Sequence, residues 1–589
     1  MKGPTNYPSL GALPSEGGTT FRVWAPGKSQ LEVVLEPSGR HFGMTALADG
    51  VFERRVEEDL VGAHYFYRVD GDALYPDPAS RYQPNGVHGP SQVIDPTAFA
   101  WHDRDWQGVP QAELVFYELH VGTFTREGTY DAVRRKLPYL RELGITALEL
   151  MPVNEFPGER GWGYDPAALF APAHSYGSPD ALRQLVDEAH AQGLAVFLDV
   201  VYNHFGPDGA YAVALAPEFL TERHHTPWGK AVNLDGPGSR QVRAFFLENA
   251  LAWLHEYHFD GFRLDATFAL VDDSRPHFLA ELAAVVDTVP GWRRRLVAED
   301  PRDLNTLLLP RNDGGDGLDA VWSDDFHHQV RRILTGDDWG YFAPYSDRTE
   351  DVATTVEQGW FFTGSGDEAR GSDPAGLRSD QFVFCLQNHD QVGNRPVGER
   401  LHQDIMLPAY RAASALLLFC PELPLLFMGQ EWAAATPFQY FTDHQDELGR
   451  LVRDGRREEF KDFPGFHDEV PDPQDPATFW RSKLDWSEPD VGEHACTLAL
   501  YRDLLRLRRE LSGEVKARSP VPGGLALQRG RHLLLVTLRE DVDLPAPGEA
   551  EPLWCSEDDA YSGAPKPPEA EGEVLHFPVP AALLFRLGS

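Results

Sequence analysis

Cysteine is scarce in this chain, four in 589 residues, and Cys385, Cys420, Cys496 and Cys555 include no C-x-x-C pair. That spacing suggests neither a thiolate zinc site nor a disulfide framework. Positive charge is also short: 53 Lys and Arg against 91 Asp and Glu give a formal net charge of −38. A surface this acidic repels phosphate backbones and anionic lipid heads, so neither nucleic acid nor a membrane is expected as a partner. A neutral polyol is not repelled. No apolar run reaches the ~18 residues of a membrane span; the longest is Ala412 to Phe419. Met1 to Gly11 carries no apolar leader segment, and the expected location is cytoplasmic. A G-x-G-x-x-G fingerprint is missing after the first candidate strand, which removes the main signal for an open, dinucleotide-binding sheet.

What is present is 42% hydrophobic and 24% charged residues, values that rule out a wholly disordered chain. Short alternating runs such as Phe21-Arg-Val-Trp-Ala and Gln30-Leu-Glu-Val-Val-Leu predict an N-terminal β-sandwich over residues 1–96. From about Ala112 a β-rich run is repeatedly followed by a helical one. The candidate strands are Leu114–Val121, Ile145–Met151, Leu194–Val200, Gly261–Asp265, Leu296–Glu299, Ala320–Ser323, Phe382–Gln387 and Leu423–Met428. Amphipathic helices fit between them, for example 181–192 and 242–257. Eight β/α units predict a (β/α)8 TIM barrel over 97–490, with a short insertion after the third strand. A last helix, 498–510, and short strands such as 533–538 and 581–587 then predict a C-terminal β domain over 491–589.

In such a barrel the C-terminal ends of the strands face the active site. Four of these ends carry polar groups: Asp199 to His204 on the third, Arg263 and Asp265 on the fourth, Glu299 on the fifth, and Asn388-His389-Asp390 on the seventh. Strand alternation sets Arg263 beside Asp265, so the guanidinium keeps that carboxylate ionised and oriented, as a glycosyl nucleophile must be. Partial burial and a nearby like charge raise the pKa of Glu299, which suits a general acid. A lone strand-end carboxylate is more often a cap or a surface ion pair; four constellations on one barrel face favour a site.

These segments resemble the four sequence regions of the α-amylase superfamily of glycoside hydrolases, and the resemblance covers nearly the whole chain. It implies Asp265 as nucleophile, Glu299 as general acid/base and Asp390 as a third carboxylate that holds sugar hydroxyls. It further implies Arg263, His204 and His389 at subsite −1, Asp199 bracing the arginine, and Tyr164 as the aromatic platform under that sugar. Longer strings, among them Trp228-Gly-Lys-Ala-Val-Asn233 and Asn388-His-Asp-Gln-Val-Gly-Asn-Arg395, are similar to the trehalose-releasing hydrolases of that superfamily. The implied substrate is maltooligosyltrehalose, an α-1,4-glucan, cut beside its terminal trehalose. A glycogen-branching transferase and a non-catalytic glucan-binding protein are the rival readings.

Two departures from the starch amylases matter. Phe268 and Ala269 stand where many amylases have Lys-His, so the acceptor side differs. Phe205 to about Ser239 is short for a calcium-holding domain and shows no clear carboxylate cluster, so no metal and no cofactor is expected, although Asn203 matches a calcium ligand of those enzymes. Acceptor-side selectivity is expected from Phe268 and from Asp324, Asp325, His327 and His328 after the sixth strand. The alternatives are that Phe268 belongs to the core and that Asp324 caps the next helix.

Overall fold

The computed structural model describes residues 9–71, 73–364, 370–461, 463 and 470–588. The expected leaderless start, Met1 to Gly11, lies largely outside them.

Eight parallel strands close into a barrel in chain order: Phe116–Leu119, Ala147–Leu150, Ala195–Val200, Gly261–Leu264, Arg295–Glu299, Ala320–Trp322, Phe382–Cys385 and Leu423–Phe427. All eight fall inside or within one residue of the expected runs. The first strand closes the ring by pairing Phe116 with both Ala147 and Leu425.

Alternation along these strands explains why the barrel closes and why one end of it is chemical. Phe116, Ala147, Ala195, Phe197, Val297, Ala320, Trp322, Val383, Cys385, Leu423 and Leu425 form one buried cluster that fills the interior. Their outward neighbours, such as Tyr117, Leu148, Val196, Phe262 and Phe384, belong to a second, larger cluster beneath the helices. One step further along the same inward rows the residues change character, to Glu118, Glu149, Asp199 and Arg263, each 2% exposed or less. Gly261 has no alternative: a Cβ there would lie 2.2 Å from the Arg295 carbonyl and 2.6 Å from the Phe197 ring.

Helices cover the barrel where the periodicity predicts them. Pro179–Ala191 starts at Ser178, whose side chain accepts from the Ala181 amide, and turns Leu182, Leu185, Val186 and Ala189 inward. Ser239–Glu256 and Gly492–Arg508 take the other two expected positions. Before the barrel, a four-stranded and a five-stranded antiparallel sheet face each other over Phe21, Val23, Leu31, Val33, Phe52, Tyr65 and Tyr67. After it, a five-stranded and a three-stranded sheet enclose Ala526, Leu535, Leu544, Phe577 and Phe585. The insertion after the third strand holds one short helix, Tyr211–Leu215, and a hairpin, Leu220–Thr226 with Gly229–Val232, whose turn carries Trp228. Among the described residues no helix is long and apolar enough to cross a membrane.

Candidate active site

Arg263 is the hub of the polar end. Its side chain is wholly buried, and one nitrogen, Nη1, donates to Asp199 Oδ2 at 2.8 Å and to Asp265 Oδ1 at 2.7 Å. The other, Nη2, pairs with Glu299 Oε2 at 2.8 Å. The guanidinium carbon lies 4.4 Å from the centre of the Trp322 ring, so an aromatic face supports the cation from below. Three carboxylates around one buried guanidinium drive its pKa well above its ordinary value, despite burial. It stays charged.

Each carboxylate is then fixed by a different neighbour. Asp265 accepts a second bond, from Asn203 Nδ2 at 2.7 Å on Oδ2. Asn203, which matches a calcium ligand by sequence, is therefore a brace for Asp265. Asp199 accepts from the Tyr164 hydroxyl at 2.5 Å; burial lifts its pKa to about 6, with Arg263 opposing. Glu299 Oε2 accepts from the Ala266 amide at 2.7 Å. Ala266 adopts φ 41°, a left-handed conformation that costs a non-glycine residue on the order of 1 kcal/mol. That conformation turns its N–H toward Glu299. Burial pushes the Glu299 carboxyl up to about 8; Arg263 pulls the other way, while Asp265 and Asp390 add like charge. Side by side stand an oriented, doubly hydrogen-bonded carboxyl group, Asp265, and one whose burial favours the protonated form, Glu299.

His389 and Tyr164 line the adjoining wall. Their rings stack with centroids 5.1 Å apart and 20° between planes, and the Tyr164 hydroxyl meets His389 Nε2 at 2.8 Å. The His204 ring spans the Asn203 side chain and the Tyr164 carbonyl, and Trp228 stacks on it at 5.0 Å. Asp390, 39% exposed, has Oδ1 3.5 Å from His389 Nε2 and opens to solvent beside the buried groups. The structure thus gathers Tyr164, Asp199, His204, Arg263, Asp265, Glu299, His389 and Asp390 at one end of the barrel.

The acceptor-side expectations divide. Phe268 is half-buried in the short turn Thr267–Ala269, with Trp228 6.3 Å away. Asp324 lies in the first turn of the helix Asp324–Thr335, so it is not the cap; Ser323 holds that position. Burial, with Asp325 and Asp390 nearby, brings Asp324 up to about 7. The other three are engaged by groups within the protein. Asp325 is fully buried and accepts from the Tyr345 hydroxyl at 2.6 Å, the Phe361 amide at 2.5 Å and Arg370 at 3.2 Å. His327 is buried on the Leu386 carbonyl at 2.5 Å, and burial keeps it neutral. His328 is packed among Tyr341, Phe342 and Tyr345, its Nδ1 3.2 Å from the Tyr345 hydroxyl. The helix is buried along most of its circumference.

Glu118, on the first strand, is a further member of the site. It holds His389 through the Nδ1 of the ring and through the backbone amide at 2.8 Å. Burial favours the neutral imidazole, but Glu118 and Asp390 together outweigh it and lift His389 to about 9. The signal was legible: in Phe116-Tyr-Glu-Leu the acid stands two residues after an inward phenylalanine.

Among the described residues, one group of three has metal-ligand atoms within 4.8 Å of one another, His224, Asp235 and Asp273. Two of them lie in the segment where the sequence shows no cluster. Asp235 already accepts from Arg223 at 3.0 Å and from His224 at 2.9 Å, so a guanidinium supplies the positive charge there.

A closed parallel barrel with two adjacent carboxyl groups on one buried arginine at its C-terminal end, the pKa of one of them pushed up by burial, defines a glycoside hydrolase of the α-amylase type. The description "Alpha amylase, catalytic domain" matches residues 74–216. The malto-oligosyltrehalose trehalohydrolase of Deinococcus radiodurans is 50% identical over 512 residues, 85% of this chain and 83% of that one. Its counterpart in Arthrobacter ramosus is 41% identical across 96% of this chain and 99% of its own. The crystal structure of a putative alpha amylase from Salmonella typhimurium superposes with a TM-score of 0.89 at 36% identity, covering 98% of this chain and all of the other. The chain belongs to the malto-oligosyltrehalose trehalohydrolase family.

Proposed function

We propose that the enzyme hydrolyses the α-1,4 bond next to the terminal trehalose of maltooligosyltrehalose, releasing trehalose and a maltooligosaccharide with retention at the anomeric carbon. Asp265 attacks the anomeric carbon and Glu299 protonates the leaving trehalose oxygen. Glu299, now ionised, then draws a proton from water, which hydrolyses the glycosyl–Asp265 ester. Asp390 and the charged His389 hold hydroxyls of the sugar in subsite −1, over Tyr164. Asp199 and Asn203 keep Arg263 and Asp265 in register.

The observation that carries this reading is the shared guanidinium. Two carboxyls face the two terminal nitrogens of Arg263, Asp265 hydrogen-bonded at 2.7 Å and Glu299 ion-paired at 2.8 Å. That fork suits the ~5–5.5 Å spacing of retaining enzymes better than the ~6.5–9.5 Å of inverting ones. For the substrate, support comes from the family and from the aromatic and acidic rim of Trp228, Phe268 and Asp324, which differs from the Lys-His of starch amylases.

The test is to give purified enzyme maltooligosyltrehalose and, separately, plain maltooligosaccharide. Free trehalose from the first, with little turnover of the second, is the expected result. New α-1,6 branches on the second would point to a transferase, and no product from either would remove the enzymatic reading.

A further inference from the structure

The connection after the eighth barrel strand contains a helix, Asp446–Glu459, that is polar almost all round: only Gly449 and Arg456 are buried, and its Leu451 is 58% exposed. A helix with no apolar face gains little from the core. Its inward contact is a cation. The Arg456 guanidinium lies 4.4 Å from the Phe460 ring centre and 5.1 Å from that of Tyr440, and is balanced by Glu459 at 2.9 Å. It donates to the Gly393 carbonyl and, at 3.2 Å, to Asn394 Oδ1.

Asn394 continues the line. Its Nδ2 donates to Asp390 Oδ1 at 3.1 Å, and its backbone amide donates to the Asp390 carbonyl at 3.0 Å. An arginine can only donate, so Arg456 fixes which end of the Asn394 amide faces it, and the NH2 end is left for Asp390. Asp390 needs such help. It sits on the short helix His389–Gly393 with its side chain 39% exposed, whereas Asp265 is held by two buried donors. The inner side of that helix is already rigid: a Cβ on Gly393 would come within 2.1 Å of Trp162, which stacks on Phe438 at 5.0 Å.

We propose that Arg456 and Asn394 are positioning residues for Asp390, and that the polar helix Asp446–Glu459 is a strap whose purpose is to carry Arg456 to that point. The proposal rests on the reading of Asp390 as the third carboxylate. A group that must meet sugar hydroxyls in the transition state works only when held to about half an ångström, and one charge-assisted chain of donors supplies that constraint.

The experiment is a double-mutant cycle on the full-length enzyme with maltooligosyltrehalose as substrate. Asn394→Ala and Arg456→Met, the latter keeping an apolar stem against Phe460, are each expected to lower kcat about tenfold with KM changed less than about twofold. The double variant should be no slower than Asn394→Ala, because both act through one line. Arg456→Lys, which keeps a donor, should recover part of the loss, and Leu451→Ser on the exposed face should leave kcat and KM unchanged. Wild-type kcat in Arg456→Met, or losses that multiply in the double variant, would overturn the strap. A role in folding alone would lower Tm without this kcat pattern, and that too overturns it. Asp390→Asn is measured alongside: a wild-type rate there removes the underlying reading of Asp390, an outcome distinct from failure of the strap.

Discussion

Glu118 grips His389 at two points, one carboxylate oxygen on the ring Nδ1 and the other on the backbone amide at 2.8 Å, across 271 residues of sequence. The same imidazole faces Tyr164, Asp390 and Arg263, and Glu149 lies beneath. Without Glu118, burial and Arg263 favour the neutral ring and only Asp390 opposes them. Glu118→Gln should therefore lower kcat/KM by about tenfold or more at pH 7, with partial recovery toward pH 5 as the ring regains its proton. A pH–rate profile of the variant parallel to that of the wild type would show that the His389 charge is not used. The stability from this pair is fully present below about pH 6.5, the ordinary histidine value, and is lost as pH rises through about 9.

Glu299 must be protonated to act as an acid, and its pKa near 8 places the loss of that proton on the alkaline side. The rate should fall about tenfold per pH unit above that value. Glu299→Gln should abolish that limb and lower kcat by about 10²–10⁴-fold, with Tm within a few degrees of the wild type. Asp265→Asn should be at least as damaging, and near-normal turnover in either variant would displace the residue from its role.

Retention has a direct signature. Proton NMR during the first turnovers should show the new reducing end as the α-anomer, before mutarotation. A β-anomer appearing first would assign an inverting site.

Selectivity between the two glucans should depend on the rim. Phe268→Ala and Asp324→Ala are expected to reduce the ratio of kcat/KM for maltooligosyltrehalose to that for maltooligosaccharide by about tenfold each. An unchanged ratio in both variants would place trehalose recognition elsewhere.

Chelation should change neither rate nor Tm, because Arg223 already balances Asp235 in the His224, Asp235 and Asp273 group. Loss of activity in EDTA, restored by calcium, would show that the group takes a metal.

The barrel was legible because its signal is local. Inward and outward rows alternate within each strand, and runs such as Ala195–Val200 or Leu423–Phe427 read as buried strands without knowledge of their neighbours. The site was legible where polar residues interrupt those rows, at Asp199, Arg263, Asp265 and Glu299. Glu118 obeys the same rule, but its partner is a strand-seven histidine that no spacing in the sequence links to it. What the sequence does not reveal about Asp325, His327 and His328 is that each is buried on partners outside its own helix, Tyr345, Phe361 and the Leu386 carbonyl among them.

By itself the sequence determined the order of the eight strands, the inward row of each and the acids and arginine at their ends, since alternation is a property of the chain. Only the tertiary structure decided how those groups bear on one another. Arg263 collects three carboxylates, Ala266 turns its amide onto Glu299, Glu118 charges His389, and Arg456 reaches Asn394 from 62 residues away. Charge state and orientation depend on burial and on partners remote in sequence, and closure of the barrel is what brings those partners within hydrogen-bond range.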